Sequence, residues 1–147
     1  MNNVKNPSIG GISGKMPGRI GDTPIIGAGT YCDNNFAGCS ATGHGETLMR
    51  ACIAHDVIKR MEYLGQDVQT ASASACKYMT DVFHGTGGVI TIDNKGNVAH
   101  AFTANRMAWA YQRSTKLFYG IRPKEEMSEE VLEDSSSEEE SSTQDSN

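Results

Sequence analysis

PGRIGDTPIIGAGTYCDNNFAGCSATGHGE, residues 17–46, begins with a loop framed by glycines in which Arg19 and Asp22 stand three positions apart. The guanidinium group of an arginine presents a planar fork of N–H donors that suits a carboxylate. A carboxylate such as that of Asp22 accepts hydrogen bonds from an ammonium group. Together the two side chains predict a site for the α-carboxylate and the α-amine of an amino acid.

The same stretch ends in Thr-Gly-His-Gly-Glu at positions 42–46, where a strand-like segment gives way to a helix-like one. The Thr42–Gly45 turn supplies backbone N–H groups and a hydroxyl at the start of a helix, where negative charge is favoured. A glycine-rich phosphate loop is a competing interpretation. It is disfavoured because the stretch lacks the Lys-Ser/Thr ending of a Walker loop and the full G-x-G-x-x-G spacing.

These motifs resemble the β-subunit of the N-terminal-nucleophile asparaginases, the plant-type L-asparaginase and isoaspartyl peptidase family. The resemblance covers roughly residues 8 to 122. The matching segments are Gly10-Gly11, Pro17–Pro24, Gly27–Gly29, Thr42–Glu46, Gly87–Ile90 and Asp93–Val98. It implies an α+β fold, namely the half of an αββα sandwich that the family's β-subunit contributes.

Three regions are expected along the chain. Residues 1–7 match nothing in the family, residues 8–123 form the β-subunit-like domain, and residues 124–147 form an acidic, Ser/Glu-rich tail that is expected to be disordered. Ser135, Ser136 and Ser137 each precede a glutamate by three positions, a pattern that acidophilic kinases favour, although a solvated tail is the simpler interpretation.

Periodicity and turn residues predict the elements of the domain. A helix from Glu46 to Leu64 is expected to stop at Gly65, and Asp67 is expected to cap a second helix that runs to about Val82. The predicted strands are Pro24–Gly29, Ala37–Thr42, Val89–Asp93, Val98–Thr103 and Leu117–Ile121. A turn at residues 33–35 is expected between the first two strands, and a hairpin turn at residues 94–96 between the third and the fourth.

The family resemblance also implies roles for individual residues. Arg19 and Asp22 would clamp the substrate's α-carboxylate and α-amine, and Thr42 and Gly43 would donate to the oxyanion of a tetrahedral intermediate. Losing one such donor typically costs about 10²–10³ in rate. The remaining substrate-binding positions are Ile20, Gly21, His44 and Gly45. Taken singly, Arg19 could instead be a loop-anchoring ion pair, Asp22 a turn cap and Thr42 an ordinary strand residue.

The implied reaction is hydrolysis of L-asparagine or of β-aspartyl peptide bonds through a threonyl acyl-enzyme, without a metal or cofactor. The amine of the nucleophilic threonine would act as the base, which disfavours His44 as the alternative general base. The resemblance further implies an α-subunit-like partner half and a pairing of two αβ units.

The family's nucleophilic threonine lies upstream of Gly10-Gly11, and a second threonine directly precedes that pair. Here the second position is Ile9, and the given sequence begins with Met1 and Asn2. The chain is therefore expected to lack both the α-subunit and the nucleophile, and to be inactive alone. A non-catalytic truncated isoform, or an interaction or regulatory protein, is the alternative.

The net charge of the whole chain is not a guide to its partners, because the acidic tail dominates it. Of the 18 acidic residues, ten lie at positions 124–147, so the remainder of the chain carries a small net positive charge. No stretch approaches the ~18 apolar residues of a membrane span, and the first residues contain no signal-peptide core. We expect no nucleic-acid or membrane partner and a cytoplasmic location. Reduced thiols are expected at Cys32, Cys39, Cys52 and Cys76, which show no zinc-type spacing.

Overall fold

A computed structural model describes residues 14–131, which form an α+β fold of three helices and seven strands. The strands are β1 (Thr30–Asp33), β2 (Ala37–Gly43), β3 (Gly87–Asp93), β4 (Val98–Phe102), β5 (Trp109–Arg113), β6 (Lys116–Gly120) and β7 (Met127–Glu130). The helices are α1 (Gly45–Ala51), α2 (Ile53–Leu64) and α3 (Val68–Phe83). Ile9, Gly10-Gly11 and the serines 135–137 lie outside the described residues.

The first sheet has the order β1-β2-β3-β4 with every pair antiparallel, and the helices pack on one face of it. Successive side chains of a strand point to opposite faces. Ala37, Cys39 and Ala41 of β2 therefore face the helices and belong to the core, whereas Thr42 is exposed. Small side chains on this face allow the helices to approach the sheet closely, and the register sets Thr42 opposite Gly88.

The predicted helix over residues 46–64 is two helices, because Cys52 adopts a left-handed conformation with φ 46°. The backbone N–H of His55 donates to Gly27 O at 2.9 Å, a contact with the preceding loop that interrupts the helical ladder. The periodicity continues across the break, so the sequence does not reveal it. Gly65 ends α2 as predicted, and the Asp67 carboxylate accepts from the N–H groups at the start of α3 as predicted.

The strand predicted at Pro24–Gly29 is wrong. This segment forms consecutive turns, in which Ile25 N donates to Asp22 O and Ala28 N donates to Ile25 O. The first strand is instead Thr30–Asp33, which pairs with β2 across the predicted turn. The carbonyl groups of Gly27 and Gly29 accept from His55 N and Ala41 N, so they bond to α2 and β2 individually and not as a strand ladder. Ile26 is 85% exposed.

A second sheet, β5-β6-β7, extends beyond the predicted last strand. Strand β7 lies inside the segment 124–147, so the boundary at residue 123 and the prediction of disorder are wrong for Met127–Glu130. The cause is local: the Glu125 carboxylate accepts from the N–H groups of Ile121 and Arg122 at 3.0 and 2.8 Å, which fixes the turn that brings β7 back onto β6.

The two sheets meet at β4 and β5. Trp109 of β5 is 5% exposed and stacks on His100 of β4 with ring centroids 3.6 Å apart. Ile90 and Ile92 of β3 lie on the sheet face opposite the helices and are only half-buried. Within residues 14–131, none of the helices combines the length and apolar character that crossing a membrane requires.

Candidate functional site

A cavity of about 430 Å³ opens where β2 ends and α1 begins. It brings together the two motifs that are separated by twenty residues in the sequence. Of the predicted site residues, all except His44 line it. The lining residues are Lys15, Arg19, Ile20, Gly21, Asp22, Thr23, Pro24, Thr42, Gly43 and Gly45.

Asp22 is the most unusual group in this cavity. The residue is only 7% exposed, and its Oδ2 atom is buried without a hydrogen-bond partner in the part of the chain described. Burial raises the pKa of this carboxyl above its ordinary value, against the opposing effects of its own backbone N–H and of the Arg19 charge. A buried acceptor without a partner is rare in folded proteins, and an ammonium group would satisfy it.

Arg19 lies beside Asp22 and is held by an acid that the sequence interpretation had not assigned to the site. Its Nη2 atom donates to Glu46 Oε1 at 3.0 Å, and its side chain is 21% exposed. Glu46 stands in the first turn of α1, where a negative charge is favoured. A hydrogen bond from its own backbone N–H, and then the one from Arg19, lower the pKa of Glu46. Glu46 could have been selected from the sequence, because it is the last residue of the TGHGE motif.

Gly45 explains how the carboxylate and the guanidinium come so close to one backbone. A Cβ atom at this position would lie 3.1 Å from Asp22 Oδ1 and 3.4 Å from Arg19 Nη2. The start of α1 therefore packs directly against both charged groups. The absence of a side chain at position 45 thus allows the first turn of α1 to contact Asp22 and Arg19.

Thr42 and Gly43 form the wall opposite the charged loop. Thr42 is exposed at the end of β2, on the face that the helices leave open. Gly43 has φ 142°, and a Cβ atom there would lie 2.5 Å from Gly87 Cα and 2.6 Å from Thr86 O. A side chain at position 43 would clash with the neighbouring backbone, so only glycine allows the ends of β2 and β3 to approach this closely.

His44 does not line the cavity. Its Nε2 atom is 3.4 Å from Glu46 Oε2 and its Nδ1 atom is 3.4 Å from Thr47 Oγ1, and the side chain is largely exposed. The imidazole therefore contacts the acid that holds Arg19. Its connection to the cavity runs through Glu46.

The described residues contain no cluster suited to a metal ion, and the Cys76 thiol is too deeply buried to act as a nucleophile. Residues 14–131 contain no group of three or more His, Cys, Asp or Glu side chains placed to hold a metal ion. Burial raises the pKa of the Cys76 thiol to about 12, which keeps that thiol protonated and unreactive.

We expect the substitution Gly43→Ala to destabilise the fold strongly. The backbone conformation alone would cost an alanine about 1–3 kcal/mol, and the clash with Gly87 adds to this cost. Urea denaturation measures the loss. Gly65→Ala is the matched control, because Gly65 also has a positive φ of 63° but has open space around a Cβ atom. Equal destabilisation of the two variants would contradict the close approach at Gly43.

Comparison with known proteins gives a consistent result. A family model described as asparaginase matches residues 5–121. A probable isoaspartyl peptidase/L-asparaginase of Drosophila melanogaster is 51% identical over 118 residues, which are 80% of this chain and 36% of the fly protein. The isoaspartyl peptidase/L-asparaginase of Danio rerio is 39% identical over 126 residues, 86% of this chain and 40% of that protein. The human isoaspartyl peptidase/L-asparaginase is 38% identical over 116 residues, 79% of this chain and 37% of that protein. The chain thus spans little more than a third of the length of these relatives, and it belongs to the asparaginase family.

Proposed function

We propose that this chain carries the substrate-binding site of an N-terminal-nucleophile hydrolase that cleaves the side-chain amide of L-asparagine or a β-aspartyl peptide bond. The observation that carries the proposal is the buried, unpartnered Oδ2 of Asp22 beside the Arg19 guanidinium. An α-ammonium and an α-carboxylate are the complementary pair of charges. The names of the relatives agree with this substrate class.

In the proposed complex, the substrate's α-carboxylate faces Arg19 and its α-ammonium faces Asp22. The β-carbonyl then extends toward Thr42 and Gly43, whose hydroxyl and backbone would stabilise the developing oxyanion. The hydroxyl of a threonine attacks the carbonyl carbon, the C–N bond breaks, and the amine or ammonia leaves with a proton. Water then releases aspartate from the acyl-enzyme.

We propose that the nucleophile and the covering half of the sandwich come from sequence outside residues 14–131. The relatives are nearly three times as long as the matched segment. The half-buried apolar side chains Ile90 and Ile92 on the open face of the first sheet are suited to such a covering layer. A pairing of two αβ units, and a cytoplasmic location, belong to the same proposal.

The second candidate is a non-catalytic relative that binds the amino acid without cleaving it. It is favoured by Ile9, which stands where the family has a threonine. Both candidates require the binding site, and they differ only in turnover.

Calorimetric titration of the 147-residue chain with L-aspartate and with L-asparagine tests the binding site that the proposal requires. Saturable binding of both ligands is the expected result. Succinate, which lacks the α-amine, is the matched control and is expected to bind much more weakly because it leaves Asp22 without a partner. Equal affinity for succinate and L-aspartate would remove Asp22 from the proposed role.

A further inference from the structure

A second cleft of about 350 Å³ adjoins the candidate site and shares Thr42 and Gly43 with it. Its remaining wall comes from β3 and from residues 104–108, the segment between β4 and β5. Because Thr42 and Gly43 border both spaces, the two cavities meet at the proposed oxyanion position. A molecule held at Arg19 and extending past Thr42 would therefore reach the second cleft.

The wall of this second cleft is anchored. Met107 is 8% exposed, and its backbone N–H donates to Ile121 O at 2.9 Å. It also packs against Gly88, where a Cβ atom would lie 2.5 Å from the Met107 sulfur. The residue beside it, Arg106, is thereby tethered at the cleft although its own side chain is exposed.

Among the described residues that line the second cleft, Arg106 carries the only ionisable side chain. Within residues 14–131 no hydrogen bond or ion pair of its guanidinium is found. Arg19, Arg60 and Arg113, in contrast, each donate to an oxygen atom of this chain. The cleft therefore presents a cation that is available to an anionic ligand.

We propose that the second cleft receives the leaving amino acid of a β-aspartyl dipeptide, and that Arg106 pairs with the carboxylate of that residue. This inference rests on the proposed function. A β-aspartyl dipeptide carries two carboxylates on opposite sides of its scissile carbonyl, and Arg19 and Arg106 each line one of the two cavities that meet at Thr42. L-Asparagine has only an amide nitrogen beyond the carbonyl. Arg106 is therefore a specificity residue that favours dipeptides over asparagine.

Three ligands separate the contributions in titrations of the 147-residue chain: L-asparagine, β-aspartyl-leucine, and β-aspartyl-leucine amide, which lacks the second carboxylate. We expect the wild-type chain to bind the dipeptide about three- to tenfold more tightly than its amide, the range of a partly exposed charge pair. Arg106→Ala should abolish this difference and leave the affinity for L-asparagine unchanged. Arg106→Lys should retain part of it.

Arg122→Ala is the matched control, because Arg122 is an exposed arginine outside both cavities. Thermal melts of each variant check that the fold is retained. The inference is overturned if Arg106→Ala leaves the preference for the dipeptide over its amide intact, or if it weakens all three ligands equally. Absence of L-asparagine binding by the wild-type chain overturns the proposed function itself, and this inference with it.

Discussion

Asp22→Asn is expected to abolish tight binding of L-aspartate while leaving the fold at least as stable as before. The substitution keeps the shape of the side chain but removes the negative charge that would pair with the α-ammonium group. Losing one partner of a buried charge pair commonly costs about 2–5 kcal/mol, so affinity should fall by about 30-fold or more. Calorimetry measures this loss, and Asp56→Asn on α2 is the control.

The stability half of this expectation follows from the direction of the pKa shift. Because burial raises the pKa of Asp22 in the folded state above its ordinary value of 3.8, the folded chain binds the proton more tightly than the unfolded chain. Stability contributed by protonated Asp22 is therefore lost as pH rises from below 3.8 through the raised folded value. Asp22→Asn removes this component from the melting temperature measured against pH.

A variant that loses both binding and stability would show that Asp22 is a structural acid, held as a turn cap before Pro24. A variant that keeps its affinity would show that the α-amine binds elsewhere. Either outcome would contradict the role assigned to the unpartnered Oδ2 atom.

Arg19→Ala is expected to weaken L-aspartate binding by about 2–4 kcal/mol, since it removes the bidentate partner of the α-carboxylate. Arg19→Lys keeps the charge but loses the planar fork, so it should remain clearly impaired. Titration calorimetry of both variants measures the effect. Arg60→Ala and Arg60→Lys are the controls, because Arg60 pairs with Asp56 away from the cavity.

The ion pair between Arg19 and Glu46 makes it possible to test whether Arg19 only anchors its loop. If Arg19 merely anchors its loop, removing the partner acid in Glu46→Gln should harm the protein as much as removing Arg19. The Glu46 side chain is exposed, and solvent screening leaves an ion pair of this kind with little effect on stability. We therefore expect Glu46→Gln to weaken binding far less than Arg19→Ala. Equal effects of the two variants would favour the anchoring role.

The parts of the fold that the sequence predicts well are those specified by local chemistry. Asp67 caps α3 because its side chain satisfies N–H groups two and three residues ahead. Gly65 ends α2 because it adopts a left-handed conformation with φ 63°, which glycine reaches without steric cost. The β3–β4 hairpin forms around the predicted turn, where the Asp93 carboxylate accepts from Lys95 N and Asn97 N.

The parts that the sequence does not predict depend on contacts that apolar periodicity and composition do not encode. The break at Cys52 follows from the bond between His55 and Gly27, and the turns after Asp22 leave Ile26 in solvent. Strand β7 consists of four exposed residues in an acidic segment, and its pairing with β6 supplies the order that its composition does not.

The candidate site shows the same division. The sequence motifs were sufficient to select five residues that line the cavity: Arg19, Asp22, Thr42, Gly43 and Gly45. The pairing of Arg19 with Glu46 and the second cleft beside Thr42 could not be predicted, because both depend on where α1 and the segment after β4 lie.

Comparing hydrolysis by two proteins tests the proposed function most directly. One is the 147-residue chain alone, and the other joins the upstream portion of the fly relative to residues 8–147. Release of ammonia from L-asparagine and of leucine from β-aspartyl-leucine is followed for both. We expect turnover by the joined protein, loss of that turnover on Arg19→Ala, and no turnover above background for the chain alone. Comparable turnover by the chain alone would contradict the proposal that the nucleophile lies outside residues 14–131. A folded joined protein that binds L-aspartate but cleaves neither substrate would contradict the proposed hydrolysis.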